Sequence, residues 1–153
     1  MSDALPDHPR ELYYLMEHQV WARLEADGKA TVGITRLGIQ LSGEIYMCRA
    51  KRVGTPVAQG ATVAVVELAK SIVPVKSPVT GTVVEINEAL EDRPWLVHRD
   101  PYGAGWIARL VPTDLSADRR ALLHGVAAQL ALADFAREHA AEFTPATSEP
   151  LTP

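Results

Sequence analysis

The chain has 153 residues, a formal net charge of -4 and 47% hydrophobic residues, which is one domain able to bury a substantial core. Charged residues at 22% and a mean hydropathy of -0.01 exclude a disordered chain. With acidity spread along the sequence, no nucleic-acid partner is expected, and no apolar run approaches the roughly 20 residues of a bilayer span. The single cysteine, Cys48, excludes a disulfide framework and any multi-cysteine metal site. The opening residues lack a basic and then apolar leader, so the expected location is the cytoplasm, with no membrane partner.

Residues 1–12 contain Pro6 and Pro9 and little periodicity, and are expected to form a flexible lead. Residues 13–112 are rich in Val, Ile, Thr and Gly in short runs broken by turn signals, which predicts a β domain. Val20 to Ala26 and Lys29 to Ile34 flank Asp27-Gly28, a hairpin signal because glycine accepts the positive φ of such turns. Gly43 to Arg49 is a further expected strand, with Cys48 as a small buried residue. The stretch from Thr55 to Glu85 echoes itself. Thr55-Pro56-Val57 leads through Gly60 to Val65-Val66-Glu67, and Ser77-Pro78-Val79 leads through Gly81 to Val83-Val84-Glu85. Proline presets φ at each turn entry and glycine supplies the corner, so two quasi-symmetric β units are expected. Residues 113–143 carry Leu122, Val126, Leu130 and Ala133 at helical spacing, and predict a C-terminal helical segment capped by Asp114 or Ser116, with Gly125 able to break it. The tail, residues 144–153, has three prolines and is expected to be disordered.

Between the two echoing units lies Glu67-Leu68-Ala69-Lys70-Ser71-Ile72-Val73. Strand residues run in from Thr62 and out through Val75, which puts Lys70 near a hairpin tip between small neighbours. Position alone makes it an ordinary solvated turn residue. Only four of the fifteen basic residues are lysines (Lys29, Lys51, Lys70 and Lys76), so a modified lysine would have few candidates. Other chemistry is thin. His8, His18, His98, His124 and His139 have no ligand spacing. Ser42 and Ser71 have no triad context. Gly103 and Gly105 read as a turn, and Trp95 and Trp106 as packing residues. No acid/base or nucleophile cluster points to a free-standing enzyme.

The tip lysine between two quasi-symmetric turns that each run from Pro to Gly resembles the biotinyl/lipoyl carrier fold, a flattened β-barrel sandwich or hammerhead. Gly54 and Gly81 lie 16 residues before and 11 after Lys70, a placement that lipoyl domains favour, and Glu67 matches the acidic residue sought by lipoylating enzymes. Ala69 and Ser71 replace the methionines of the biotin branch. Thr31-Val32-Gly33-Ile34-Thr35, Asn87 to Asp92 with Pro94 and Leu96-Val97, and Asp100-Pro101-Tyr102-Gly103-x-Gly105-Trp106 resemble, in order, three motifs of the glycine cleavage H proteins. The resemblance implies a mainly β fold of H-protein type with a C-terminal helix, and a non-catalytic, monomeric carrier. It also implies lipoate in amide linkage to Lys70, attached by a lipoate ligase or lipoyltransferase. Lys70, Glu67, Gly54 and Gly81 would be the site residues.

The departures point elsewhere in the family. Pro74 and Lys76 stand where H proteins usually have an acid and often a tyrosine. Tyr46 to Arg52 is basic where they tend to be apolar or acidic, and His18 is separated from Trp21 by one extra residue. The lysine context also resembles the lipoate-binding proteins of heterodisulfide-reductase-like sulfur oxidation. The expectation is therefore an arm that carries sulfur intermediates to such a complex, with transfer of the aminomethyl group among the glycine cleavage enzymes as the alternative.

Overall fold

A computed structural model of the chain describes residues 8–142. Residues 1–7 of the expected lead and the expected tail, 144–153, lie outside the described residues. The strands are β1 (Tyr13–Leu15), β2 (Val20–Leu24), β3 (Ala30–Ile34), β4 (Met47–Ala50), β5 (Pro56–Val57), β6 (Thr62–Glu67), β7 (Ile72–Lys76), β8 (Gly81–Ile86), β9 (Ala108–Pro112) and β10 (Leu123–His124). The helices are α1 (Arg36–Ser42), α2 (Ala89–Asp92), α3 (Leu96–Arg99), α4 (Leu115–Asp118) and α5 (Gly125–Glu138). The fold is mainly β with a C-terminal helix.

The pairing is antiparallel throughout and makes two open sheets. One has seven strands in the order β10-β1-β2-β3-β9-β8-β5, and the other has three in the order β4-β6-β7. Alternation along the strands turns Val20, Ala22, Val32, Val83 and Leu110 of the larger sheet and Cys48, Val66 and Val75 of the smaller one into one core. The result is a flattened sandwich. The Asp27-Gly28 hairpin closes with Gly28 at φ +90°, and Glu25 N donates to the Lys29 carbonyl at 2.8 Å.

The two echoing turns meet each other. Gly60 N donates to the Ser77 carbonyl and Ser77 N to the Ala61 carbonyl, both at 2.8 Å. Buried Asp118 then accepts the Thr80 N–H at 2.6 Å and the Thr80 hydroxyl at 3.0 Å, tying the C-terminal segment to the second turn. Repetition in the sequence thus becomes mutual satisfaction of turn backbone, which buried polar groups require.

Three features depart from the sequence reading. Residues 8–12 of the expected lead are anchored: the His8 ring is 2.7 Å from the Tyr102 hydroxyl, and Leu12 is fully buried. Helix α1 was not foreseen inside the β region. It is short, and it depends on Thr35, whose hydroxyl accepts from Gly38 N at 3.0 Å and donates to Gln19 Oε1 at 2.6 Å. The C-terminal stretch is not one striped helix. β1 takes β10 as its edge partner (Tyr13 opposite His124), so Leu122 enters the sandwich core from extended chain. Gly125, at φ +66°, marks the break, and α5 then buries Ala128 and Leu132 while Val126 and Leu130 stay 59% and 62% exposed. The apolar stripe had the right period and the wrong phase, because register was set by the sheet and not by the helix. Trp95 is likewise 47% exposed, not a packing residue.

Candidate functional site

β-branched residues on both arms make β6 and β7 a firm hairpin. Val66 faces Val73, Glu67 faces Ile72, and Leu68 N donates to the Ser71 carbonyl at 2.8 Å. Ala69 and Lys70 are left at the corner, and residues 69–74 are all exposed. The corner needs no left-handed residue, since among the described residues Gln19 is the non-glycine with positive φ. The Lys70 amine has no ion pair among the described residues. A small residue on either side leaves that amine open to an acylating enzyme, so the site fits a group tethered by amide linkage.

Glu67 closes the strand three residues before the lysine. It is half-buried, lies between Met47 and Ile72 across the sheet, and its carbonyl accepts Tyr46 N at 2.8 Å. Glu67 and Lys70 therefore share the tip. Gly54 and Gly81 do not. Gly54, in the turn before β5, donates its N–H to the Val83 carbonyl of β8 at 2.7 Å, and Gly81 opens β8 opposite Val57, so both sit against the larger sheet.

The two glycines serve different ends. Gly54 adopts φ +96° in open space and is a conformational requirement. Gly81 has no positive φ, but a Cβ there would run into the Val111 carbonyl oxygen and lie 3.1 Å from Pro112 Cα. Its role is close approach of β8 to β9, not the permissive corner that the sequence suggested. Gly81→Ala is expected to cost about 1–3 kcal/mol by overpacking against backbone, read as a lower urea midpoint at unchanged slope. An unchanged midpoint would show that β8 and β9 part without strain.

Several residues near the tip carried no motif. Tyr46, Ile72 and Val73 are 55%, 64% and 38% exposed, an apolar surround that chain order conceals because β4 and β7 come from separate stretches. Its signal was the alternation Met47-Cys48-Arg49, apolar out, buried, basic out. Beneath β7 lies a cleft of about 120 Å³ lined by His18, Ile34, Gly38, Ile45, Val73 and Pro74. Ile45 is fixed by His98, whose Nε2 accepts the Ile45 N–H at 2.9 Å; burial pushes the His98 pKa below the ordinary histidine value. Cys48 is buried and its thiol is pushed up to about 12, which removes it as a nucleophile. Among the described residues no group of three His, Cys, Asp or Glu side chains could hold a metal, and no helix is long and apolar enough to cross a membrane.

The profile of the family described as "Glycine cleavage H-protein" matches residues 12–135. "Glycine cleavage system H protein 2" of Aquifex aeolicus is 44% identical over 117 residues, covering 76% of this chain and 73% of that protein. The glycine cleavage system H protein of Psychrobacter sp. is 47% identical over 115 residues, covering 75% and 90%. The crystal structure of a glycine cleavage system H protein from Mycobacterium marinum superposes with a TM-score of 0.64 at 32% identity, over 69% of this chain and 87% of that one. Fold and site together define a non-catalytic carrier subunit, one that holds lipoate covalently on a lysine. The chain belongs to the glycine cleavage H-protein family.

Proposed function

We propose that Lys70 is the lipoyl attachment point and that the chain is the carrier of a glycine cleavage system, working in the cytoplasm as a monomer. The observation that carries this reading is an exposed lysine, without an ion pair among the described residues, at the corner of the β6–β7 hairpin of an H-family chain. Bound there on Lys70, lipoate would supply a cyclic disulfide whose S–S bond opens to take the aminomethyl group on one sulfur and leave a thiol on the other; passage of that group to a transferase would leave the dithiol, which a flavin-linked dehydrogenase would reoxidise.

The chain's own residues do simpler things. The Val66–Val73 and Glu67–Ile72 pairs hold the corner away from the core. Ala69 and Ser71 leave the lysine stem unobstructed. Glu67 is the acidic mark for the lipoate ligase or lipoyltransferase, set one turn from the amine. Gly54 and Gly81 hold the frame that supports the hairpin. No side chain at the tip acts as acid, base or nucleophile.

The relatives reported above are all named for glycine cleavage, which supports the aminomethyl cargo over the sulfur cargo that the lysine context suggests. The test is reconstitution of the lipoylated chain with glycine decarboxylase, aminomethyltransferase and the dehydrogenase. Glycine-dependent NADH formation that scales with the carrier is expected. Its absence, with lipoylation verified by mass, would reject the glycine assignment and return the heterodisulfide-reductase-like complex as partner.

A further inference from the structure

The face of the small sheet that looks away from the core has a graded chemistry. Three rows cross it, running back from the Lys70 corner. The first holds Met47, Glu67 and Ile72, paired across the three strands, and the second holds Arg49, Val65 and Pro74. In the third, Lys51, whose N–H donates to the Val63 carbonyl at 2.8 Å, and Lys76, opposite Thr62, flank the bulge in β6. The tip end is apolar apart from Glu67, and the far end is basic. Arg52 extends the basic end past β4.

These cations are not spent within the fold. Arg49, Lys51 and Arg52 are exposed and Lys76 is half-exposed, and none has an ion pair among the described residues. Arg49 Nη2 donates to the Met47 sulfur at 3.0 Å. Off the face, Glu88 and Glu91 line the groove between β4 and α2 that Arg49 and Arg52 also line, and form no ion pair with either among the described residues. The chain as a whole carries -4, so this face has the opposite sign to the rest of the molecule. Amidation of Lys70 removes its own charge and leaves the apolar tip region with Glu67 as its one charge.

We infer that the outer face of the β4-β6-β7 sheet is the docking surface for the enzyme that receives the arm, and that the mating surface has an apolar mouth with an acidic collar on one side. The arm leaves from the edge of this face, so whatever admits the arm must cover the rows behind it. An apolar strip at the root excludes water where the arm enters. Unpaired cations set back from it steer the encounter and fix its orientation, which in such interfaces changes on-rate and partner choice more than intrinsic affinity. A collar on one side explains why the cations lie on and just past β4 and at the far end of β7 instead of around the tip.

This inference rests on the glycine cleavage reading, and the test separates the two. Lys51→Glu/Lys76→Glu alters only the row farthest from the arm. It is compared with wild type after both are shown by intact mass to be fully lipoylated and by circular dichroism to be folded, in the reconstituted system with glycine decarboxylase. The concentration of carrier giving half-maximal rate is expected to rise about tenfold or more at low salt with kcat unchanged, and the two proteins are expected to converge above about 0.3 M salt, where screening is short-ranged. Lys51→Gln/Lys76→Gln should fall between them. Equal half-saturation at every salt concentration would overturn the inference, as would a loss confined to kcat. So would an unchanged KM accompanied by salt-sensitive dimerisation or binding to phosphatidylserine vesicles, which would assign the face to a second copy or a lipid surface. A wild-type carrier that is lipoylated but gives no turnover rejects the functional reading itself, and this inference with it.

Discussion

Lys70→Arg is expected to fold normally and to carry no lipoyl group at all. Amide formation needs an amine that can lose its proton and attack an activated acyl group, and the guanidinium of arginine stays charged and delocalised at any physiological pH. The exposed side chain at position 70 has no ion pair to lose among the described residues, so stability should change by no more than about 0.5 kcal/mol, as for surface substitutions generally. Intact mass after expression with active lipoylation is the measurement: one lipoyl increment in the wild type, none in the variant, with superimposable thermal melts. Glycine-dependent turnover should vanish with the increment. An increment that survives in Lys70→Arg would move the site to Lys29, Lys51 or Lys76, and would remove the hairpin corner from the mechanism.

The largest expected loss of stability lies at a distance from that tip. Trp21 is fully buried in the second core, with Leu12, Tyr14, Leu37, Tyr102, Ala128 and Leu132, and its Nε1–H donates to the Ile34 carbonyl at 3.1 Å. It is the residue against which α5 and the N-terminal segment close over the larger sheet. Trp21→Ala should cost about 3–5 kcal/mol through lost burial and an uncollapsed cavity, a large part of the 5–15 kcal/mol typical of a domain. The indole also explains Gly33, where a Cβ would lie 2.6 Å from Trp21 Cζ2. Denaturant unfolding checks this: the midpoint should fall steeply, and the folded fraction should still accept a lipoyl group, because the hairpin belongs to the other core. An unfolding free energy within about 0.5 kcal/mol of wild type, on the scale of a neutral surface change, would show that the second core is not held together through Trp21.

The hairpin and its lysine were legible because they depend on local signals. β-branched runs, Pro and Gly at turn entries and small residues around Lys70 act over a few positions each. The family resemblance rests on short motifs whose spacing is likewise preserved in chain order. The two echoing units were legible for the same reason, although their meaning, two turns hydrogen-bonding each other with Asp118 closing the set, was not.

What the sequence determined alone was the β character of residues 13–112 outside the short helices α1, α2 and α3, the buried thiol of Cys48 and the corner on which Lys70 stands. Tertiary structure decided what depended on pairing between distant segments. β1 recruited Leu123 and His124 as a strand, and so fixed the phase of α5 and left Val126 and Leu130 outside. β9 passed so close to β8 that Gly81 became a matter of space instead of torsion. β4 and β7, far apart in the chain, were placed on either side of β6, which gathered Met47, Ile72, Arg49, Lys51 and Lys76 onto one face. Periodicity records which side of an element is apolar; only packing decides which neighbour that side meets, and so which charges are left facing a partner.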